Sequence, residues 1–227
     1  MKILILTAMD KELQLILSHL NEVNERTEAG INLFTGRIGD HHITLAKCGI
    51  GKVNAAIRTF SLIQIFKPDL VLNSGVAGGA GLPIGSILIA DKVAYDDVWC
   101  GPGTNFGEAD GCPLFFLPSP QIIRLAQSLG DTLHNVYYGL MCSGDRFIST
   151  HEEVMFIRSH FPDVKAVDME SASIAQVCFM TNTPFNIIRV VSDTPGEGEN
   201  IEQYRNFWQD APVKTFEVVR KIIENLK

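Results

Sequence analysis

A chain of 227 residues, 46% of them apolar, has material for a sizeable core in one large domain or two small ones. Its 19 basic residues against 26 acidic ones give a formal net charge of −7, which argues against a nucleic-acid partner and for a solvated acidic surface. Five cysteines (Cys48, Cys100, Cys112, Cys142 and Cys178), an odd count without a CxxC pair, favour reduced thiols and a cytoplasmic setting, and no stretch approaches the ~18 apolar residues of a membrane span.

Ile3 to Leu6 is a continuous apolar run, as in a strand buried on both faces. It is too short for a signal-peptide core, and acids follow at once. Asp10 to Leu20 has helical spacing, with Leu13, Ile16, Leu17 and Leu20 on one side. Ile31 to Gly36 and His42 to Cys48 form a predicted hairpin around Gly39-Asp40, with His41-His42 in an exposed turn. Gly51 to Phe66 reads as a helix that turns Val53, Ala56, Ile57, Phe60 and Ile63 inward and stops at Lys67-Pro68.

Leu70 to Asn73, Ser86 to Val93 and Val136 to Cys142 are further predicted strands. Trp99 to Pro113, rich in Gly and Pro, is a long loop, a kind of segment often used for function or at interfaces. Thr150 and Glu153 have the spacing of a capping box and open a helix that ends before Pro162. A strand at Val164 to Val167, a helix at Glu170 to Met180 and a strand at Phe185 to Val191 follow. The last part, about Ile201 to Leu226, is helical with Pro212 as a candidate break; Val213, Phe216, Val219, Ile223 and Leu226 share one face. This alternation predicts a single α/β domain over 1–227 without internal repeats or linkers.

Several motifs fail when tested one by one. The glycines from Gly75 to Gly81 follow a strand but lead into Leu82-Pro83, not a helix, so they are no dinucleotide fingerprint; a tight turn and a ligand-facing loop fit them equally. Gly49-Ile50-Gly51-Lys52 lacks the remaining parts of a P-loop, and Met155 replaces the second His of a zinc-protease motif, leaving no metal site. Asp145-Arg146 reads as a surface pair and Glu12, taken alone, as a solvated acid of the first helical turn. Carboxylates nevertheless recur where strands end: Glu12 after the first, Asp168 and Glu170 in Val167-Asp168-Met169-Glu170, and Asp193 in Arg189-Val190-Val191-Ser192-Asp193. Open α/β sheets place their chemistry there, and the pattern suits a neutral, polyhydroxylated substrate.

Taken together and in order, Ala8-Met9-(x)2-Glu12, Gly49-Ile50-Gly51-Lys52-Val53, Asn73-Ser74-Gly75-Val76-Ala77-Gly78-Gly79, Ser143-Gly144-Asp145-Arg146-Phe147-Ile148, Val167-Asp168-Met169-Glu170 and Arg189-(x)2-Ser192-Asp193 resemble the purine nucleoside phosphorylase and uridine phosphorylase superfamily. Within it the set is most similar to the 5′-methylthioadenosine/S-adenosylhomocysteine nucleosidases. The resemblance implies a three-layer α/β/α domain with a central mixed sheet, usually a homodimer, acting without metal or organic cofactor in methionine salvage and nucleoside catabolism. By that resemblance Asp193 is the acid that protonates purine N7 and Glu12 the carboxylate that activates water. Glu170 binds ribose hydroxyls, Met169 lies against the sugar and Arg189 sits near Glu12. Phe147 stacks on adenine, Ile148 reads the base edge, and Met9 and Phe207 wall the sugar and its 5′ substituent. Ser192, Val76 and Gly78 complete the expected binding set.

Two positions depart from the family pattern: Val76 stands where Ser is common and Asp168 where Glu is usual. Glu12 favours hydrolysis over phosphorolysis, because a phosphorylase wants cations where this carboxylate would stand. The other readings of the same residues are hydrolysis of another 5′-modified purine nucleoside such as aminofutalosine, phosphorolysis, and nucleoside binding without catalysis.

Overall fold

Burial explains the strand pattern. In β1 (Lys2–Thr7), Ile3 to Leu6 are buried because parallel neighbours flank the strand on both edges, β4 (His41–Lys47) and β5 (Leu70–Gly79). The computed structural model describes residues 1–197, 200–210 and 212–226, without the side chains of 131, 209, 210 and 212–215. The remaining strands are β2 (Asn21–Glu28), β3 (Ile31–Ile38), β6 (Ile87–Tyr95), β7 (Val136–Ser143), β8 (Val164–Asp168) and β9 (Phe185–Asp193). Helices α1 (Asp10–Leu17), α2 (Lys52–Phe66), α3 (Pro120–Leu129), α4 (His151–His160), α5 (Ser171–Met180), α6 (Asn200–Asp210) and α7 (Pro212–Glu224) separate or follow them.

The mixed sheet runs β2-β3-β4-β1-β5-β8-β7-β6-β9, and β9 returns to pair with β5. Five strands therefore close into a ring at one end of the sheet. The length of β5 makes this possible. Its Leu72 and Asn73 lie between β1 and β9, while Gly78 and Gly79 further along pair with Val167 and Ala166 of β8. The glycine-rich segment is thus a continuation of the strand, not a turn or a loop.

Two layers of helix cover the sheet. On one side Ala55 and Leu62 of α2 pack with Ala175 and Cys178 of α5; on the other are Ile16 of α1, Ile122 of α3 and Ile223 of α7. A smaller cluster joins Ile157 of α4 and Phe161, the residue after it, to Leu140, Val164 and Val167. The capping box at the start of α4 is present, with the Glu153 N–H donating to Thr150 Oγ1 at 3.3 Å. Of the expected C-terminal face, Phe216, Val219, Ile223 and Leu226 are buried; the side chain of Val213 lies outside the described residues. The expected break at Pro212 adjoins residue 211, which lies outside the described residues; helix is described up to Asp210 and again from Pro212.

Two further expectations need correction, and two elements have no counterpart in the sequence reading. In α2 the inward residues are Ala55, Thr59, Leu62 and Ile63, whereas Val53, Ile57 and Phe60 are 68%, 60% and 52% exposed. The apolar stripe faces away from the chain's own core. His41 is buried in β4, with its Nδ1 3.2 Å from the terminal amine, and is not in an exposed turn. The polar edge strand β2 carries no alternation, so pattern does not reveal it. Helix α3 also escapes the sequence reading, although Ser119-Pro120 is a usable start signal.

Candidate active site

The site forms where β1, β4, β7, β8 and β9 end, and β5 passes beneath it. Glu12 comes first. As the third residue of α1 it reaches back over the helix start, and its Oε2 accepts the N–H groups of Ala8 at 2.9 Å and Met9 at 3.0 Å. Its Oε1 accepts the Val76 N–H at 2.9 Å. Glu12 is therefore buried and fixed, not the solvated acid expected of it in isolation. Burial raises its pKa, opposed by the Arg189 charge and these three N–H groups. Gly75 is required here: a Cβ would overlap both the Arg189 guanidinium and the Glu12 carboxylate.

Arg189 projects from β9 and is completely buried. A cation there needs partners, and Asp168 supplies the nearest, with Nη2 2.5 Å from Oδ2; Glu170 Oε2 lies at 3.7 Å. Nη2 also donates to Asn73 Oδ1 at 2.6 Å, and Asn73 in turn donates to the Leu6 carbonyl at 3.0 Å. Asp168 accepts further from Ser143 Oγ and, at 2.6 Å, from Ser171 Oγ. Burial opposes the charge on Arg189, but Asp168, Glu170 and Glu12 outweigh it and raise its pKa. Glu170 is held by the Gly51 N–H, 3.0 Å from its Oε1. Burial and then Asp168 push Glu170 up to about 7, against the pull of Arg189 and Gly51.

Asp193 ends β9 and lines the same cavity as Glu12 and Glu170. Ser192 Oγ donates to its Oδ1 at 2.7 Å and Asn200 Nδ2 to its Oδ2 at 3.2 Å. Burial raises its pKa, although both donors favour the anion. Asn200 also donates to the Ile148 carbonyl at 3.2 Å, tying the acid to the loop that carries Phe147. From α6, one turn after Asn200, the Tyr204 ring packs edge-on to Phe147 at 5.7 Å, and its hydroxyl donates to Met9 Sδ at 3.2 Å.

One cavity brings together Met9, Glu12, Val76, Gly78, Phe147, Ile148, Met169, Glu170, Ser192 and Asp193. Two expected residues stand outside its lining. Arg189 stands near Glu12, as expected, but does not line the cavity and meets it through Asp168 and Glu170, which do. Phe207 is buried and does not line the cavity; Tyr204, three residues earlier on the same helix, takes that wall. Sequence reading passes over Tyr204 and Asn200, and over the buried roles of Asn73 and Ser171. Asn73 and Ser171 stand inside or beside the quoted motifs without a role, whereas Asn200 and Tyr204 give only the signal of a polar helix start. The Asp145-Arg146 pair splits: Arg146 lines the cavity mouth and is bonded to Glu153. Among the described residues no group of three or more His, Cys, Asp or Glu could hold a metal ion.

Val76 serves Glu12 through its backbone, so replacing its side chain leaves that contact in place. Val76→Ser is expected to change turnover by no more than the ~0.5–1.5 kcal/mol of one hydrogen bond. Steady-state kinetics on both proteins checks this; a Ser variant hundreds of times faster would show that the valine marks a lost or different activity.

A cavity at the carboxyl ends of strands in a mixed sheet, lined by an aromatic side chain and several buried carboxylates and, among the described residues, by no cluster of exposed cations, defines a site for a small neutral ring compound. The chain belongs to the phosphorylase superfamily, whose family model matches residues 2–224. It is 38% identical to a 5′-methylthioadenosine/S-adenosylhomocysteine nucleosidase of Lysinibacillus sphaericus and 36% identical to one of Haemophilus influenzae, each covered over 100% of both chains. Among solved structures it is similar to the S-adenosylhomocysteine nucleosidase of Streptococcus pyogenes in complex with 5-methylthiotubericidin, with a TM-score of 0.95, 32% identity and coverage of 100% and 98%. The nucleosidase of Neisseria meningitidis in complex with methylthio-immucillin-A has a TM-score of 0.94, 34% identity and 99% coverage of both chains.

Proposed function

We propose that the chain hydrolyses the N-glycosidic bond of 5′-methylthioadenosine and S-adenosylhomocysteine, releasing adenine and the 5-thioribose product. The observation that carries this is the pairing across one cavity of two unlike carboxyl groups, Asp193 and Glu12. Breaking the bond sends negative charge into the base and positive charge into the sugar. A proton at N7 makes adenine a leaving group. Burial raises the pKa of Asp193 above that of an ordinary Asp, against the pull of Ser192 and Asn200, and so favours it as the donor of that proton.

The cationic sugar then lies against Glu170 and Glu12, whose charges favour it over the neutral ground state. Glu170 accepts from the ribose hydroxyls. Glu12, with both oxygens already oriented by backbone N–H groups, takes the proton of the attacking water. Phe147 offers the face for adenine, and Met9 and Tyr204 form the wall for the 5′ substituent. Phosphorolysis would need a free cation beside the sugar, and Arg189 is already committed to Asp168.

A homodimer is part of this proposal. Ile50, Val53, Ile57 and Phe60 form an exposed apolar stripe at the start of α2, beside the site, which a second copy would cover. We place the protein in the cytoplasm on its cysteine usage, five thiols of which none is bonded to another. No described helix is long and apolar enough to cross a membrane.

A panel of purine nucleosides tests the reading. Adenine release from both 5′-thio substrates is expected, with little from adenosine 5′-phosphate, whose charge meets the acidic cavity. Preference for aminofutalosine, or binding without cleavage of any nucleoside, would move the assignment to those alternatives.

A further inference from the structure

Lys52 is the first residue of α2, where a cation meets the positive end of the helix dipole. A local conflict of this kind marks a residue kept for something other than helix stability. Its ammonium lies 2.7 Å from each oxygen of Asp97, two residues past the end of β6. Gly51, the residue before the helix, has no side chain to cap it, and Asp145 from the loop after β7 supplies the missing acceptor: the Lys52 N–H donates to its Oδ1 at 2.7 Å. The Asp145 N–H donates to Asp97 Oδ2 at 2.8 Å, so the three residues form a closed ring. Side-chain exposures of 22% for Lys52 and 25% for Asp97 shield the pair from the screening that weakens surface ion pairs.

We propose that this ring of Lys52, Asp97 and Asp145 is a clamp that positions Glu170 and Phe147, making Lys52 a positioning residue for the reaction although it does not line the cavity. The inference rests on the hydrolase reading above. Gly51 is the link to Glu170. Its φ of +91° suits only glycine, a Cβ would meet Asp145 Oδ1 at 3.1 Å, and its N–H is the donor to Glu170. Asp145 is the link to Phe147, two residues further along the same loop. The clamp therefore joins the ends of β4, β6 and β7 and sets both the sugar-binding carboxylate and the base shelf.

Glu170 faces Asp168 from β8, Arg189 from β9, Glu12 from α1, Cys48 from the end of β4 and Tyr204 from α6. Of these Arg189 favours its anion, as does the Gly51 N–H. Loosening Gly51 removes one of these favourable contacts, so the pKa of Glu170 rises and the acid limb of kcat/KM moves to higher pH. A merely structural role for Lys52 would lower stability without moving that limb.

The test compares Lys52→Met, Lys52→Arg and the near-isosteric Asp97→Asn with wild type. It measures kcat/KM against pH on 5′-methylthioadenosine and adenine affinity by calorimetry. Lys52→Met and Asp97→Asn are expected to lose about tenfold or more in kcat/KM, the scale of a charged hydrogen bond, to shift the acid limb upward and to bind adenine more weakly. Lys52→Arg is expected to recover most of the wild-type profile. Folded variants that keep the wild-type limb and adenine affinity overturn the clamp. If wild type cleaves no nucleoside, the hydrolase reading fails instead, and adenine affinity still decides whether the clamp holds Phe147.

Discussion

Asp193→Asn is expected to slow adenine release by roughly 10²–10⁴-fold while adenine still binds, because the amide has no acidic proton to give to N7. Size and shape are almost unchanged. In the wild type Ser192 Oγ and Asn200 Nδ2 donate to the two carboxylate oxygens of Asp193, and the substituted amide can keep one of these bonds by turning its oxygen toward the donor. The fold is therefore expected to survive, with a thermal midpoint close to wild type. Single-turnover kinetics beside calorimetric binding of adenine separates the two effects. A variant that turns over at the wild-type rate would place the source of the proton elsewhere.

Arg189→Met has the largest expected effect on stability. The guanidinium is buried and lies against Asp168, with Glu170 and Glu12 close by. Methionine fills much of the space but leaves these carboxylates without their cation, a loss on the order of 3–5 kcal/mol for a broken buried pair. In a chain of this length that lowers the melting midpoint by roughly 6–20 °C. Adding Asp168→Asn to the variant removes one of the stranded charges and is expected to restore part of the loss, a coupling that only neighbouring groups show. Calorimetry on the single and double variants checks both values; a single variant that melts with wild type would mean that the carboxylates are not held by Arg189.

Strand ends are legible in the sequence, and the connections between them are not. Asp168 and Asp193 can be read because an acid at the end of an apolar run is costly in a core and so carries information, whereas Glu12, six residues past its strand's apolar run, reads alone as a solvated acid and is picked out only by the family resemblance. Asn73 and Ser171, which complete the Arg189 network, are small polar residues in apolar surroundings, and nothing in their spacing announces a buried cation from β9. Periodicity identifies an apolar stripe and not its partner, which is why it assigns the Val53, Ile57 and Phe60 face of α2 to the interior. The same limit applies in α6. Tyr204 and Phe207 are three positions apart and share a helix face, and only the packing against Met9 and Phe147 decides which one reaches the cavity. The closing of the sheet between β5 and β9 depends on pairing across more than a hundred residues, which no local pattern contains.

In the proposed function Glu12 carries the division between hydrolysis and phosphorolysis. The most direct measurement is the identity of the sugar released from 5′-methylthioadenosine in concentrated phosphate buffer. Free 5-methylthioribose, formed at a rate independent of phosphate, is the expected result, since a buried carboxylate activates water and repels a dianion. A 5-methylthioribose 1-phosphate product, rising with phosphate concentration, would contradict the hydrolase and make the protein a phosphorylase.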